Sequence, residues 1–306
     1  MRSPILLVVV GPTAVGKTDV SIQLAQHFDA EIVSADARQF YQEMTIGTAK
    51  PTRKEREAVP HHLVDFLSVT EPYDVKQFEQ DALDVLASIY QRLPVAIATG
   101  GSGLYVQTLV SGIDTMPEVL PATRSSLQKR WQQEGLTSLL DELERVDPDY
   151  FSIVDRQNHR RVIRALEVYQ STGLPYSSFR TQSTHVERPF NVITVGLNRP
   201  RDILYERVNR RVDQMIEQGL VDEARALYPW RNYQALRTVG YQEIFPMFDG
   251  QYDLAEAIRL IKRNTRRYAK RQLTWFGKDD TIEWFDMEEG QEAAVQSIVS
   301  YVQGHR

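Results

Sequence analysis

The apolar and polar positions in the first third of the chain predict alternating strands and helices. Short, mostly apolar runs at 5–10, 30–34 and 93–98 have the length of buried strands. Between them, apolar side chains recur at helical spacing over 17–28 and 74–90. Such alternation is typical of an α/β fold, in which helices cover both faces of a parallel sheet. Ligands of such folds bind beyond the carboxyl ends of the strands.

The pattern changes at Pro117 and Pro121. Residues 122–173 are polar and helical in periodicity, and the alternating run 190–197 predicts a strand that returns to the sheet. We therefore expect 117–189 to be a helical insertion in the core domain.

The predicted organisation thus has a catalytic core and an insertion. The core comprises 1–116 and 190–306, and its last part is helical over 200–227 and 253–275. The fold predicted from the whole chain is a parallel sheet core with an inserted helical domain and C-terminal helices.

A glycine-rich motif follows the first strand directly. Residues 11–18 read GPTAVGKT and match G-x-x-x-x-G-K-[ST], the phosphate loop of P-loop proteins. The motif consists of Gly11, Pro12, Thr13, Ala14, Val15, Gly16, Lys17 and Thr18. Its glycines let backbone N–H groups close around phosphate oxygens, and Lys17 adds a positive charge. The Thr18 hydroxyl is a candidate ligand of Mg²⁺.

Two polar positions at predicted strand ends are candidates for chemistry. Asp36 follows the second strand, where a carboxylate beside the phosphate loop could take a proton from an incoming nucleophile. A helix cap or an indirect Mg²⁺ ligand is the alternative for Asp36. Ser102 lies in the turn 99–103 after the third strand and offers a hydroxyl at the same edge. Gln39 has the donor and acceptor needed for an adenine edge.

Composition narrows the class of protein. The chain has 306 residues, a net charge of −5 and no cysteine, which excludes disulfides, thiolate metal sites and cysteine nucleophiles. No apolar run approaches the ~18 residues of a membrane span. The first apolar run leads straight into the phosphate loop and is expected to be a core strand, not a signal peptide. We expect a cytoplasmic protein without membrane contact and, by default, a monomer.

A basic stretch near the carboxyl end stands out in this acidic chain. Residues 257–278 contain no acid and eight basic residues: Arg259, Lys262, Arg263, Arg266, Arg267, Lys270, Arg271 and Lys278. Helical spacing places most of them on one face, which suits a polyanion. The opposite, core-facing stripe is predicted to contain Ile258, Ile261, Thr265 and Tyr268.

Aromatic residues accompany this stretch, and a second basic cluster lies in the insertion. Tyr268, Trp275 and Phe276 could stack on unpaired bases, as recognition of RNA loops requires. The second cluster consists of Arg156, Arg160, Arg161 and Arg164. These features favour an RNA substrate over a free nucleotide. An ATP-dependent nucleoside or nucleotide kinase, a prenyltransferase for free adenine nucleotides and a non-enzymatic RNA-binding protein remain alternatives.

Six sequence blocks in order resemble the bacterial tRNA dimethylallyltransferases, also called isopentenyl (IPP) transferases. The blocks are GPTAVGKT (11–18), SADARQFYQEMTIGTAKP (34–51), PHHLVDF (60–66), ATGGSGLY (98–105), RRVIRALEV (160–168) and RRYAKRQLTWF (266–276). The resemblance implies transfer of the dimethylallyl group from dimethylallyl diphosphate to N6 of the adenosine 3′ of the anticodon in tRNA. It implies that the phosphate loop holds the diphosphate with Mg²⁺ and that Asp36 is the base.

The resemblance also implies further binding residues. Arg211 matches an arginine that binds the diphosphate, and Ser102 stands where the family usually has threonine. The positions implied to contact the tRNA anticodon stem-loop are Asp36, Ala37, Arg38, Gln39, Arg160, Arg161, Val162, Ile163, Arg164, Arg237, Thr238, Val239, Gly240, Tyr241, Gln242, Lys270, Arg271, Gln272, Leu273, Thr274, Trp275, Phe276 and Gly277. An arginine is common at the position of Gly277, so one RNA contact is expected to be missing there.

Overall fold

The chain forms two compact units. A computed structural model describes residues 3–180 and 186–305. The first unit comprises Met1–Val110 with Glu187–Arg306, and the second is Ser111–Val186. The structural division lies a few residues before each predicted boundary of the insertion.

The first unit is built on a parallel sheet. Its strands, within the described residues, are β1 (Ile5–Val10), β2 (Glu31–Ser34), β3 (His61–His62), β4 (Val95–Thr99), β5 (Asn191–Asn198) and β6 (Glu283–Asp286), in the spatial order β3-β2-β4-β1-β5-β6. Every residue of β1 is buried, because this strand lies in the middle of the sheet and both of its faces are covered.

The register aligns the carboxyl ends of the central strands. Thr99 at the end of β4 is paired with Val9 of β1 and with Ser34 of β2. Val10 of β1 is paired with Gly196 of β5. The segments that follow β1, β2 and β4 therefore begin at one edge of the sheet, as the α/β prediction requires.

Helices cover this sheet and form the second unit. In chain order they are α1 (Lys17–Phe28), α2 (Arg53–Ala58), α3 (Val75–Tyr90), α4 (Gly103–Ser111), α5 (Pro121–Glu134), α6 (Leu136–Val146), α7 (Pro148–Ile153), α8 (His159–Thr172), α9 (Arg201–Glu217), α10 (Leu220–Leu227), α11 (Tyr241–Phe248), α12 (Leu254–Phe276) and α13 (Gln291–Gly304). None of these helices is both long enough and apolar enough to span a membrane.

The alternation of side chains along β1 divides the core of the first unit into two layers. Leu6 and Val8 pack in one hydrophobic cluster with Phe78 of α3. Leu7 packs in the other with Leu24 of α1, a cluster to which α13 also contributes. The predicted face of α1, with Val20, Leu24 and Phe28, is buried as expected.

The second unit has a hydrophobic core of its own, formed by α5 to α8. Leu127, Leu139 and Leu166 are fully buried there. The ring of Trp131 stacks on His159 with centroids 3.9 Å apart. This separate core explains why the sequence pattern becomes helical and loses its strands over 122–173.

The structure differs from the sequence-based expectations in the last third of the chain. The predicted helical region 200–227 is two helices, because Gly219 adopts a φ of +101° and ends the turn between α9 and α10. The strand β6 and the helices α11 and α13 were not predicted, and neither was the short strand β3 near the start of the chain.

The predicted core stripe of α12 is wrong in part. Ile261 is buried as expected, but the other buried residues of α12 are Ala257, Ala269, Gln272 and Phe276. Thr265 and Tyr268 line a cavity instead.

Candidate active site

The phosphate loop adopts backbone angles that its sequence permits. Gly11 and Gly16 have φ of +144° and +114°, a region that residues with a Cβ rarely adopt. A Cβ on Gly11 would lie 2.6 Å from the Leu197 carbonyl oxygen of β5. Gly16 precedes α1, whose first N–H groups have no partner within the helix. The loop therefore ends in amide donors suited to an anion.

Three side chains from distant parts of the sequence hold the loop in place. Arg207 Nε donates to the Ala14 carbonyl over 2.8 Å, and Arg199 Nε donates to the Val15 carbonyl over 2.9 Å. The Thr13 N–H donates to Gln272 Oε1 over 2.8 Å. Sequence reasoning missed both arginines, since neither position has a recognisable spacing from the motif. Their guanidinium groups also add positive charge beside the loop.

Lys17 is a buried cation of the phosphate loop and lies near the positive charge of Arg211. Its ammonium group donates to the carbonyls of Gly11 and Pro12, each over 2.9 Å. Burial and the nearby charge of Arg211 lower the pKa of Lys17 to about 8, and the charge of Asp36 opposes this shift. Burial also lowers the pKa of Arg211, again against the influence of Asp36. The Asp36 carboxylate is thus close enough to both cations to affect their pKa values.

Asp36 is held by the backbone that follows it. The Arg38 N–H donates to Asp36 Oδ1 over 2.9 Å, which fixes one oxygen of the carboxylate. The Ala37 N–H donates to the Ser102 hydroxyl over 3.0 Å. Burial and the charge of Asp36 raise the pKa of Tyr268 to about 12, and Ser102 opposes this shift. Asp36, Ser102 and Tyr268 therefore lie near one another at this edge of the sheet.

Two cavities meet at this group. The larger has a volume of about 890 Å³ and is lined by the phosphate loop, including Lys17 and Thr18. The smaller, of about 120 Å³, has apolar walls that include Met215 and Val239. Asp36, Arg211 and Tyr268 line both cavities, so the carboxylate lies where a charged ligand and an apolar group could both reach it.

Most of the predicted site residues in the first unit line a cavity, are buried or are exposed at the surface, and Gln272 both lines a cavity and is buried. The residues that line one or both cavities are Thr13, Ala14, Gly16, Lys17, Thr18, Asp36, Arg38, Gln39, Arg211, Thr238, Val239, Gly240 and Gln272. Tyr241, Gln272 and Phe276 have buried side chains. Those exposed at the surface are Arg237, Gln242, Lys270, Arg271, Thr274, Trp275 and Gly277.

Gln39 differs most from its predicted environment. Its Oε1 accepts a hydrogen bond from the Ser34 hydroxyl, and its Nε2 donates to the carbonyls of Thr48 and Ala49. Both halves of the amide are therefore engaged within the protein. The side chain supports the segment after Asp36, a role that the residue type alone does not indicate.

The basic stretch of α12 is less free than its sequence suggests. Arg259 is paired with Glu256, and Lys262 is paired with Asp213 of α9 over 2.6 Å. By contrast, Arg267 and Lys270 are exposed and have no acidic partner among residues 3–180 and 186–305. In the first turns of α12, acids from outside the stretch 257–278 thus neutralise part of the predicted cationic face.

In the second unit, the predicted basic cluster lies on and before α8. Arg160 and Arg161 are exposed, while Arg164 is 3.4 Å from Glu167. Val162 and Ile163, which alternate with these arginines, are buried in the core of the unit.

The described residues contain no cluster of three or more His, Asp or Glu side chains that could hold a metal. The adjacent histidines bond within the protein: His61 Nδ1 lies 2.8 Å from the Val59 carbonyl, and His62 Nε2 lies 2.6 Å from Glu31. Oxygen ligands for a metal are instead available from Thr18 and Asp36, which both line the larger cavity.

A parallel sheet, a phosphate loop after its central strand and a cavity beyond the strand ends define a phosphate-binding α/β protein of the P-loop class. Comparison with protein families is more specific. The model of the IPP transferase family matches residues 39–279, and an isopentenyl transferase model matches 4–71. The chain belongs to the IPP transferase family.

Individual relatives are similar to this protein over nearly the whole chain. A tRNA dimethylallyltransferase of Cytophaga hutchinsonii is 49% identical over 92% of both chains. The crystal structure of a tRNA isopentenylpyrophosphate transferase from Bacillus halodurans is similar with a TM-score of 0.74, at 39% identity, over 98% of this chain and 96% of that one. A eukaryotic dimethylallyltransferase, whose structures were determined acting on tRNA, gives a TM-score of 0.81 at 26% identity, over 99% of this chain and 80% of that one.

Proposed function

We propose that this protein transfers the dimethylallyl group of dimethylallyl diphosphate to N6 of the adenosine adjacent to the anticodon in tRNA, on its 3′ side. One observation carries the proposal: the phosphate loop, the Asp36 carboxylate and Arg211 line one cavity. Nucleoside kinases share the phosphate loop. The relatives of this chain and the solved structures that resemble it are prenyltransferases, which favours prenyl transfer over that alternative.

The positive groups of the site suit a diphosphate leaving group. In the reaction, N6 forms a bond to the primary allylic carbon, and the bond from that carbon to the diphosphate oxygen breaks. An allylic carbon tolerates positive charge, so the main requirement is to stabilise the departing diphosphate. The loop amides, Lys17 and Arg211 provide this stabilisation from fixed positions.

Asp36 is proposed to take the proton that N6 loses. Its Oδ1 is oriented by the Arg38 N–H, which leaves the other oxygen for the substrate. An exocyclic amine is a poor nucleophile, so the adenine must leave its stack and enter a site from which water is excluded. The small apolar cavity beside Asp36 suits the branched hydrocarbon of the donor.

Mg²⁺ is the metal proposed for the diphosphate. It prefers a few protein oxygens together with phosphates and water, and the Thr18 hydroxyl at the start of α1 fits this donor set. When bound, the ion would help to neutralise the charge of the leaving diphosphate. The oxygen ligands of the site fit such an ion better than a zinc ion, because cysteine is absent from the sequence and His61 and His62 bond elsewhere.

The surfaces proposed to contact tRNA are the unpaired part of α12 and the arginines of α8. Arg267, Lys270 and the exposed ring of Trp275 offer charge and stacking for an anticodon loop. Because bacterial tRNA is a cytoplasmic molecule, we propose that the enzyme is cytoplasmic. We also propose that it acts as a monomer.

The decisive test is prenyl transfer by the Asp36→Ala variant. Purified protein would be incubated with Mg²⁺, radiolabelled dimethylallyl diphosphate and unmodified tRNA, and the label in precipitated RNA measured. We expect wild-type protein to label tRNA, and Asp36→Ala to lose about 100-fold or more in turnover with tRNA affinity changed little. Asp84→Asn, on the exposed face of α3, is the matched control.

Two outcomes would contradict the proposal. Equal losses of tRNA affinity and turnover in Asp36→Ala would make Asp36 an RNA anchor and not the base. Absence of label from wild-type protein, together with ATP consumption on nucleosides, would favour the kinase.

A further inference from the structure

The segment 44–49 is attached to α10 by a single carboxylate. Glu223 Oε2 accepts hydrogen bonds from the N–H groups of Thr45, over 2.9 Å, and Ile46, over 2.7 Å. Its other oxygen, Oε1, accepts from the Gly47 N–H over 2.9 Å. Three consecutive backbone amides thus converge on one side chain that is more than 170 residues away in the sequence.

Tyr241 provides a fourth donor. Its hydroxyl donates to Glu223 Oε1 over 2.7 Å, and the side chain is fully buried at the start of α11. Burial and the charge of Glu223 raise the pKa of Tyr241, so the hydroxyl stays protonated and remains a donor. A Cβ on Gly47 would lie 2.6 Å from this hydroxyl, so the segment and α11 are in close contact.

These four bonds match the acceptor capacity of a carboxylate. Two oxygens offer about four lone-pair positions, and Thr45, Ile46, Gly47 and Tyr241 each supply one donor. Hydrogen bonds to an ionised acceptor are roughly twice as strong as neutral ones. Glu223 is therefore a better anchor for this segment than an amide of the same shape, which has one acceptor oxygen only.

The anchored segment is a wall of both cavities. Thr45, Ile46 and Thr48 line the larger cavity, across from the phosphate loop, and Gly47 and Thr48 line the smaller one. The carbonyl of Thr48 also accepts from Gln39, three residues after Asp36. The position of this wall therefore affects the space available to the substrate beside the carboxylate.

We propose that Glu223 is a positioning residue for prenyl transfer: it holds the 44–49 wall at the distance from the phosphate loop that the reaction requires. Glu223 does not line either cavity and acts through the three backbone amides. Its effect on kinetics rests on the proposed function, whereas its effect on the wall does not.

The first measurement is amide hydrogen exchange in Glu223→Gln. The variant keeps the shape but turns one acceptor oxygen into a donor that faces two other donors. We expect exchange at residues 45–47 to rise about tenfold or more, with the sheet unchanged. Asp222→Asn is the matched control, because it removes a charge from an exposed neighbour on the same helix. Unchanged exchange at 45–47 would overturn the proposal.

The second measurement separates positioning from folding. We expect kcat/KM for dimethylallyl diphosphate to fall about 10–100-fold in Glu223→Gln, since a misplacement of about 1 Å can cost this much. The Kd for tRNA should change less than about twofold, because the exposed cations of α12 are untouched. Faster exchange at 45–47 with unchanged kcat/KM would overturn the proposal, as would a loss of tRNA affinity equal to the kinetic loss.

Tyr241→Phe serves if Glu223→Gln fails to fold. It removes one of the four donors and leaves the three amides, so exchange at residue 47 should rise more than at 45. An equal increase in exchange at residues 45 and 47 would contradict the arrangement of donors around Glu223. A wild-type protein that transfers no prenyl group would refute the proposed function, and hydrogen exchange would still decide whether Glu223 holds the wall.

Discussion

The two walls of the larger cavity are specified in different ways. The phosphate loop is encoded by eight consecutive residues, and its shape follows from glycines with positive φ and from the start of α1. The facing segment 44–49 contains one glycine, and side chains from outside the segment determine its position: the distant Glu223 of α10 and the nearby Gln39. A local motif can be recognised from sequence, whereas a wall fixed by long-range contacts cannot. The two walls should also fail in different ways when mutated.

The largest expected effect concerns the phosphate loop. In Lys17→Ala, kcat/KM for dimethylallyl diphosphate should fall about 100–1000-fold, because the variant loses a fixed cation beside the leaving group. Hydrogen exchange at 45–47 should stay as in wild type, since the opposite wall is held independently. Labelling of tRNA at varied donor concentration would measure the effect. A variant with normal activity would mean that the loop has no role in the reaction.

A smaller effect, on stability, is expected from the second wall. The Lys50 side chain is 1% exposed, is paired with Asp65 and donates to the Tyr41 carbonyl. Lys50→Met leaves the buried Tyr41 carbonyl without this donor and leaves Arg56 as the remaining cation on Asp65. The loss should lower the free energy of unfolding by about 1–3 kcal/mol. Urea denaturation would measure the loss, with Lys54→Met on the exposed side of α2 as control. Equal stability of the two variants would show that the buried pair does not fix this wall.

The smallest expected effect is a pH dependence confined to the phosphate loop. The pKa of Lys17 is about 8 in the free protein, so the lysine loses its charge as pH rises through this value. The charged form binds the diphosphate, and kcat/KM for the donor should therefore fall above about pH 8, by at most tenfold per pH unit. Lys17→Arg should remove this step. A profile that is flat to pH 9.5 in wild type would contradict the assigned shift.

The same lowered pKa has a consequence for folding. An unfolded lysine keeps a pKa of about 10.5, so the unfolded state binds more protons than the folded state between about pH 8 and 10.5. The contribution of Lys17 to stability is thus unfavourable below pH 8 and is relieved as pH rises through this window. Lys17→Ala should be no less stable than wild type at pH 7.

Much of the fold could be predicted, since its signals are local. β1 and α1 follow from an apolar run, a motif and helical spacing within the first 28 residues. The two-residue strand β3 was not predicted, because it is too short to produce an alternating pattern. The ion pair of Lys262 could not be predicted from the basic stretch, because the acid that neutralises it lies on α9.

In the candidate site, too, the residues with local sequence signals could be predicted and those that act through long-range contacts could not. Lys17 and Asp36 stand at positions where sequence and topology agree. Arg199, directly after β5, and Arg207 of α9 hold the phosphate loop, and Glu223 holds the opposite wall. Their roles depend on contacts between residues that are far apart in the chain, and neither composition nor periodicity records such contacts.

The bond between Thr13 and Gln272 joins the start of the chain to a residue that is synthesised much later. The loop is synthesised first, but its neighbour β5 and the Gln272 side chain that bonds to it come from residues 191–198 and 272. At about 5–20 residues per second, roughly 13–50 s pass between synthesis of the phosphate loop and synthesis of Gln272. During this interval the second unit, with its own core, can fold first. Loss of the last turns of α12 by premature termination would leave a chain that contains the whole motif but lacks one of the three side chains that hold it in place.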